Sequence, residues 1–313
     1  MTQTQIPNNQ AGSSWLHRFT LLTTGCTFLL IIAGALVTGN EAGLAVPDWP
    51  LSYGSLMPPM IGNIRYEHGH RMVATFVGFL TIVLAVWLWR RESRKMVRNL
   101  GFIALATVVA QGILGGATVL LFLPTAISVS HACLAQAFFC ILVSLAVMTS
   151  PGWDKSEASR VPENRGARLL RLSALTTGTI YLQLILGAAL RHAKSGIVLH
   201  VVGAFIVTTL VFLLVTRVCR HYSGCPKLVR SASILTLLLI GQLFLGAGSY
   251  WVRLAARNDV QPALLMVTVT TAHVALGALV LATSLVLTLR VHRALSPSLK
   301  VMHFSSAPQK VAS

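Results

Sequence analysis

Tyr66-Glu67-His68-Gly69-His70-Arg71 opens an apolar run that continues to Trp89. The segment places a carboxylate, two imidazoles and a guanidinium at the mouth of a run long enough to cross a bilayer. Ionisable groups at a membrane boundary are costly unless they pair with one another or bind a ligand. If the run is helical, Glu67 and His70 are three residues apart and share a face. The segment therefore predicts a membrane helix with a functional group at one end.

The composition is that of a membrane protein. Of the 313 residues, 54% are hydrophobic and only 11% are charged, and the mean hydropathy is +0.71. Lys and Arg outnumber Asp and Glu by 25 to 8, a balance that many nucleic-acid-binding proteins share. Here the cations lie in connections between apolar runs and do not form the basic cluster that binds nucleic acid. We therefore expect contact with a lipid bilayer and no nucleic-acid partner.

Eight apolar runs are long enough to cross the hydrocarbon core as helices, which takes about 20 residues each. They are too long for strands and lack the two-residue alternation of a strand. The predicted helices cover approximately residues 19–38, 68–89, 100–121, 127–149, 169–190, 196–218, 231–252 and 264–289. The predicted fold is an all-α polytopic membrane protein with eight transmembrane helices.

The sequence also repeats internally. The pattern Gln-x-x-Leu-Gly-small occurs at 111–116, 183–188 and 242–247, and the first run has a degenerate copy with Leu30 and Gly34. Four histidines recur in the even-numbered runs: His70, His131, His200 and His273. Such similarity predicts two tandem, pseudo-symmetric four-helix bundles with parallel topology.

The repeat divides the chain into five predicted parts. These are an N-terminal cytoplasmic tail (1–15), a first four-helix half (16–149), a cytoplasmic linker (150–168), a second four-helix half (169–290) and a C-terminal cytoplasmic tail (291–313). The connection 39–66 is rich in Pro and Gly, so we expect it to fold back as a cap rather than continue a helix.

The basic residues predict the orientation in the membrane. Nineteen of the 25 Lys and Arg fall on one side of the predicted helices and six on the other. The richer side faces the cytoplasm, so both termini should be inside and 39–66 outside. The N-terminus resembles neither a signal peptide nor a transit peptide. We therefore expect a multi-pass protein of the bacterial inner (cytoplasmic) membrane.

The four histidines should lie at one depth. Each is 17 to 20 residues before the inner end of its helix, which is about 25–30 Å at about 1.5 Å per residue. Two histidines from facing helices of a four-helix unit can be the axial ligands of one haem. The alternative is a histidine that only hydrogen-bonds between helices. Zinc is disfavoured because it needs three or four close ligands.

Only one histidine has a carboxylate beside it. Glu67 stands three residues before His70, and the other three histidines have Ser128, Ile197 and Thr270 at that place. We therefore expect chemistry in the first half and a held cofactor in the second. The alternative for Glu67 is an interfacial salt bridge with Arg65 or Arg71. Four cations near the outer boundary are candidate contacts for haem propionates, or else solvated loop charges: Arg71, Arg191, Lys194 and Arg253.

Three features together resemble the haem A synthase family. They are the segment Gly43-Leu-Ala-Val-Pro-Asp-Trp-Pro50, the motif Glu67-x-x-His70-Arg71, and the histidines of the fourth, sixth and eighth helices. The resemblance covers nearly all of residues 16–290. It implies an eight-helix inner-membrane enzyme of two similar halves. Such an enzyme oxidises the C8 methyl group of haem O to the formyl group of haem A for haem–copper terminal oxidases.

The same resemblance implies roles for individual residues. His200 and His273 would be the axial ligands of a haem b cofactor, His70 and His131 would line the substrate haem site, and Glu67 would be the essential acidic residue. The expected partners are haem O, haem O synthase and an electron acceptor or donor of the respiratory chain; a homo-oligomer is left open. Some bacterial members have cysteines in outer loops. This sequence has none there, so a thiol role in electron or proton delivery is not available.

Two other function classes compete with this reading. A di-haem electron-transfer protein of the quinol-linked cytochrome b type would use the same four histidines without needing Glu67. A haem or small-molecule transporter is disfavoured, because the helices lack the Gly and Pro breaks that form binding sites at the bilayer midplane.

The predicted topology can be checked with a reporter that is active only in the periplasm. Fused after Lys310, the reporter should be inactive, because the basic connections hold that end in the cytoplasm. The same reporter inserted after Gly54 serves as the control and should be active. Activity after Lys310 would contradict the topology.

Overall fold

The computed structural model describes residues 9–153, 163–193, 196–259 and 261–295. Within them the chain forms eight α-helices: α1 (Asn9–Gly39), α2 (Ile64–Arg91), α3 (Lys95–Leu120), α4 (Thr125–Met148), α5 (Glu163–Ala193), α6 (Ile197–His221), α7 (Pro226–Ala255) and α8 (Leu264–Leu295). All eight are long and apolar enough to span a membrane. The predicted all-α class and the number of membrane helices are therefore confirmed.

Most helices extend beyond the apolar runs. α1 begins at Asn9 although its run begins at residue 19, and α7 covers Pro226–Ala255 although its run covers 231–252. Hydropathy detects only the part of a helix that fits the hydrocarbon, whereas backbone hydrogen bonding continues into the polar boundary. Pro226 stands in the first turn of α7, where its missing N–H removes no helical hydrogen bond.

Several predicted boundaries fall partly outside the described residues. The N-terminal tail, the linker and the C-terminal tail include residues 1–8, 154–162 and 296–313, which the structure does not describe. Lys194, a candidate propionate contact, also lies outside the described part of the chain.

Helices that follow one another in the chain also contact one another in space. The helices α1 to α4 contact in sequence and α1 also contacts α4, and the helices α5 to α8 repeat this pattern. Each group encloses its own cluster of buried side chains, around Leu84 and Phe138 in the first and Val211 and Leu281 in the second. A third cluster around Phe139 joins α1, α4 and α8. The two groups of four helices therefore pack mainly through α1, α4, α5 and α8.

The connection between α1 and α2, residues 40–63, is called the α1–α2 loop. The Asp48 carboxylate accepts hydrogen bonds from the backbone nitrogens of Tyr53 at 2.7 Å and Gly54 at 2.8 Å. These two bonds hold the pKa of Asp48 below its ordinary value, and the bond from Gly54 has the larger effect. Gly54 has a φ of +68°, a conformation that suits glycine. The loop is therefore closed on itself rather than extended.

The α1–α2 loop also packs onto α3. Trp49 lies so close to Gly116 that a Cβ atom there would be 2.8 Å from the indole ring. Only glycine permits this approach, since real Cβ contacts are longer. The contact places an aromatic side chain of the loop beside the end of α3 that carries the first Gln-x-x-Leu-Gly pattern. The cap predicted for residues 39–66 therefore covers the first group of helices.

Candidate functional site

Each of the four histidines places the edge of its ring against a glycine of the preceding helix. A Cβ atom built on those glycines would lie only 3.0 to 3.3 Å from the Cε1 atom of the imidazole. The four contacts are Gly34–His70, Gly115–His131, Gly187–His200 and Gly246–His273. These are the glycines of the repeated sequence pattern, so the repeat makes room for the four imidazoles.

The structure brings the members of each predicted pair together. The ring centroids of His200 and His273 are 6.4 Å apart, and the ring planes are inclined at 76°. Metal–imidazole nitrogen distances are about 2 Å, so this separation leaves room for one metal ion between the two rings. In the first group of helices, His70 and His131 are electrostatic neighbours.

The imidazole nitrogens fit a role as metal ligands. The Nδ1 atoms of His70, His131 and His273 are buried and have no hydrogen-bond partner among the described residues. Buried polar atoms are nearly always satisfied, so unsatisfied ones indicate a partner that the protein itself does not supply. Two imidazoles facing each other are the donor set of a haem iron with two axial histidines. The spacing of His200 and His273 therefore suits a haem iron, and His70 and His131 supply the same donor atoms.

Glu67 is buried beside the first pair. It lies in the first turn of α2, where an acid is favoured by the helix dipole, and only 4% of its surface is exposed. Its Oε2 atom accepts a hydrogen bond from the backbone nitrogen of Val46 at 2.8 Å. Its Oε1 atom lies 2.6 Å from the Arg71 guanidinium, so the predicted alternative of a salt bridge with Arg71 is present. Arg65 instead stacks over the ring of Tyr66.

Arg71 joins α2 to the α1–α2 loop. Its guanidinium donates to the carbonyl oxygens of Asp48 at 2.7 Å, Leu51 at 2.8 Å and Val46 at 3.2 Å, as well as to Glu67. A single side chain therefore fixes both the loop and the catalytic candidate. The donors of Arg71 are directed at protein acceptors, so this candidate propionate contact is already engaged.

His68 also binds the loop. The sequence places it on another face of the helix from His70. In the structure its side chain is buried, and its Nδ1 atom is 2.8 Å from the hydroxyl oxygen of Ser52. The result is a second polar contact between α2 and the α1–α2 loop, next to that of Arg71.

Arg191 lies where the two groups of helices meet. From the last turn of α5 it donates to the carbonyl oxygen of Ala35 in α1 at 3.0 Å. A cation is favoured there because carbonyl groups at the end of a helix are electronegative. The Nε atom of Arg191 is buried without a partner among the described residues. The nearby Arg253 is exposed, so an anionic group could reach both cations.

Three functional candidates were not recognised from the sequence as partners of the histidines. Gln111 donates to the backbone carbonyl of His131 at 3.0 Å, and Gln183 donates to that of His200 at 2.7 Å. The side-chain nitrogen of Gln242 lies 3.5 Å from the Nε2 atom of His273. The recurring Gln-x-x-Leu-Gly pattern is the signal that identifies them.

Comparison with known proteins agrees with this arrangement. Residues 62–201 match the family described as cytochrome oxidase assembly protein, COX15-CtaA. A protein named Heme A synthase from Lysinibacillus sphaericus is 30% identical over 187 residues, which cover 59% of this chain and 60% of the relative. The match to the Heme A synthase of Halalkalibacterium halodurans is 34% identical over 141 residues, covering 42% of this chain and 45% of the relative.

A longer match extends over most of the chain. The Heme A synthase of Shouchella clausii is 29% identical over 262 residues, covering 72% of this chain and 84% of the relative. The matches to the first two relatives span less than two thirds of their lengths. All three relatives carry the same name, and the family match covers Glu67, His70, His131 and His200. In sequence the chain is therefore similar to cytochrome oxidase assembly proteins of the COX15-CtaA kind and to proteins named Heme A synthase.

Proposed function

We propose that this protein oxidises the C8 methyl group of haem O to a formyl group by successive hydroxylations, giving haem A for haem–copper terminal oxidases. The names of the relatives support this activity. The observation that carries the proposal is the position of Glu67, a buried carboxylate on the same helix face as His70. Among the four histidines, only His70 has an acidic residue at that place.

The reaction balances with water as the source of oxygen. Each hydroxylation takes one water molecule and releases two electrons and two protons, and the resulting geminal diol loses one water to become the aldehyde. The sum is one oxygen atom gained and four electrons and four protons lost. An electron acceptor of the respiratory chain takes the electrons. Because protons are also released, the protein must hold the methyl group near a group that accepts protons.

The first group of helices supplies the substrate site. His70 and His131 hold the iron of haem O, and Glu67 lies one helical turn away from His70. A carboxylate can accept a proton, or stabilise developing positive charge, only when it lies within a few ångströms of the reacting carbon. The backbone N–H of Val46 and the Arg71 guanidinium fix the direction of this carboxylate. Val46 belongs to the α1–α2 loop, so the folded loop also orients the acid.

The second group of helices supplies the cofactor site. His200 and His273 would hold a haem b, which would supply a one-electron redox centre. Arg191 and Arg253 are the propionate contacts that the structure leaves available, since the Nε atom of Arg191 has no partner among the described residues. Arg191 also bonds to α1, so this site is mechanically linked to the first group of helices.

The proposed setting is the bacterial inner membrane. The chain forms two tandem, pseudo-symmetric four-helix bundles with both termini in the cytoplasm. The contact pattern of the helices and the unequal distribution of Lys and Arg support this arrangement. Haem O synthase supplies the substrate, and a respiratory-chain component exchanges electrons with the protein.

A second function remains in competition because of one observation. The salt bridge between Glu67 and Arg71 gives the carboxylate a structural role in holding the α1–α2 loop. That structural role would account for the presence of Glu67 without a catalytic function. The four histidines would then serve a di-haem electron-transfer protein of the quinol-linked cytochrome b type.

Replacing either ligand of the cofactor haem should diminish the low-spin haem b spectrum of the purified protein. His200→Ala and His273→Ala should each lose most of that signal, because an open coordination position loosens the group. His221→Ala, at the other end of α6, is the matched control and should keep the full spectrum. Full spectra in both ligand variants would exclude this pair as the haem b site.

Glu67→Gln should block chemistry without loss of the cofactor. The amide keeps the size of the side chain and can still accept from Val46, but it removes the charge. In cells that also express a haem O synthase, extracted pigment should show haem O accumulating and haem A at least tenfold reduced, a loss typical of removing a general acid–base group.

The matched control for this variant is Glu41→Gln, an exposed acid in the α1–α2 loop. It should make haem A normally. Haem A formation at the normal rate in the Glu67→Gln protein would leave Glu67 as a salt-bridge partner only.

A further inference from the structure

Three of the four histidines have a glutamine amide beside the ring. The side-chain nitrogen lies 3.4 Å from a ring nitrogen in the pair Gln111–His131, 3.2 Å in Gln183–His200 and 3.5 Å in Gln242–His273. In each case the glutamine lies one turn before the glycine that faces the same imidazole. One helix face therefore supplies both the space for the ring and a polar partner for it.

The amide oxygens of these glutamines are unsatisfied within the described part of the chain. The Oε1 atoms of Gln111, Gln183 and Gln242 are all buried without a hydrogen-bond donor among the described residues. A histidine that binds a metal through one nitrogen donates its other N–H to an acceptor, which fixes the orientation of the ring. An amide oxygen is such an acceptor. Turning the amide so that its oxygen faces the ring would supply this acceptor, and in Gln111 and Gln183 it would replace the bond from the amide nitrogen to the backbone carbonyl of the same histidine.

The fourth histidine lacks this partner. Gly34 occupies the same place against His70, but the residue one turn before it is Leu30. Leu30 packs against the buried apolar cluster of the first group of helices, where it offers neither donor nor acceptor. Among the described residues, the Nδ1 atom of His70 has no hydrogen-bond partner, as is also true of His131 and His273, so the missing amide is what sets His70 apart. His70 is therefore the one histidine of the four whose ring no amide orients.

We propose that Gln111, Gln183 and Gln242 are positioning residues for the three neighbouring histidines, and that Leu30 makes His70 the ligand that releases haem. This inference rests on the proposed function, in which haem O enters the first site and haem A leaves it. A cofactor must stay, so both of its ligands have an amide. A substrate must exchange, so one of its ligands has none.

The size of the effect follows from measured metal sites. Removing a hydrogen-bond partner of a metal-bound histidine typically weakens metal binding by about 10- to 100-fold. Supplying the missing amide at position 30 should strengthen haem binding at the first site by a similar factor. Removing an amide from the second site should weaken binding there to the same extent.

The test measures transfer of haem B from the purified full-length protein to an excess of apomyoglobin. Wild-type protein should release haem in a fast phase from the first site and a slow phase from the second, and His200→Ala should lack the slow phase. Leu30→Gln should slow the fast phase about tenfold or more. Leu30→Met, which adds no hydrogen-bonding group, is the matched control and should leave the fast phase unchanged.

A complementary variant keeps the test independent of how well Leu30→Gln folds. Gln242→Leu should accelerate the slow phase about tenfold and leave the fast phase alone. Normal haem uptake with unchanged phases in both Leu30→Gln and Gln242→Leu would overturn this inference and leave the proposed function standing. Absence of haem uptake by the wild-type protein would overturn both. If the two variants change the transfer rates as described but the wild-type protein makes no haem A in cells, the result counts against the proposed activity alone.

Discussion

The close approach between an imidazole edge and the backbone of a glycine in the neighbouring helix is the constraint on which this structure depends. It occurs four times, in the pairs α1–α2, α3–α4, α5–α6 and α7–α8, and a Cβ atom built on each glycine would lie 3.0 to 3.3 Å from the ring. Protein interiors are packed too densely to absorb an added side chain at such a contact. The repeated glycine therefore fixes how close the helices are and where each ring lies. The positions of both histidine pairs therefore depend on the same glycine–imidazole contact, repeated along the chain.

The two halves use this shared framework for different purposes. In the first, the α1–α2 loop is held down by Arg71 and His68, and its Val46 nitrogen reaches the Glu67 carboxylate. In the second, the described residues place no acid beside the histidines, and the cation Arg191 reaches across to α1. The first half thus combines a buried carboxylate with a loop that covers it. The second combines two histidines that each lie beside a glutamine amide with a nearby positive charge.

Much of this architecture could be predicted because it depends on local patterns. Eight apolar runs gave eight helices, since the cost of unsatisfied backbone groups in lipid forces each run to be helical. The pairing of the histidines was expected from their spacing along the helices, since a fixed rise per residue predicts one depth for all four. The unusual position of Glu67 was visible because the internal repeat provides three equivalent positions without a carboxylate.

The remaining features depend on contacts between distant residues, which no local pattern specifies. The bonds from Arg71 to the loop span 20 to 25 residues, and that from Arg191 to Ala35 spans 156. The Gln-x-x-Leu-Gly repeat was visible in the sequence, but its purpose was not, because its partners are on the next helix. The helices extend beyond the predicted ends because apolar residues are confined to the hydrocarbon, whereas helical hydrogen bonding continues into the polar boundary.

The most direct test of the account is the identity of the haem that the wild-type protein makes. The protein would be expressed beside a haem O synthase in cells that lack any other source of haem A, and the extracted haems would be separated and identified by mass. We predict haem A, formed at the expense of haem O. Haem B and unchanged haem O without haem A would contradict the account, and the four histidines would then belong to a di-haem electron-transfer protein.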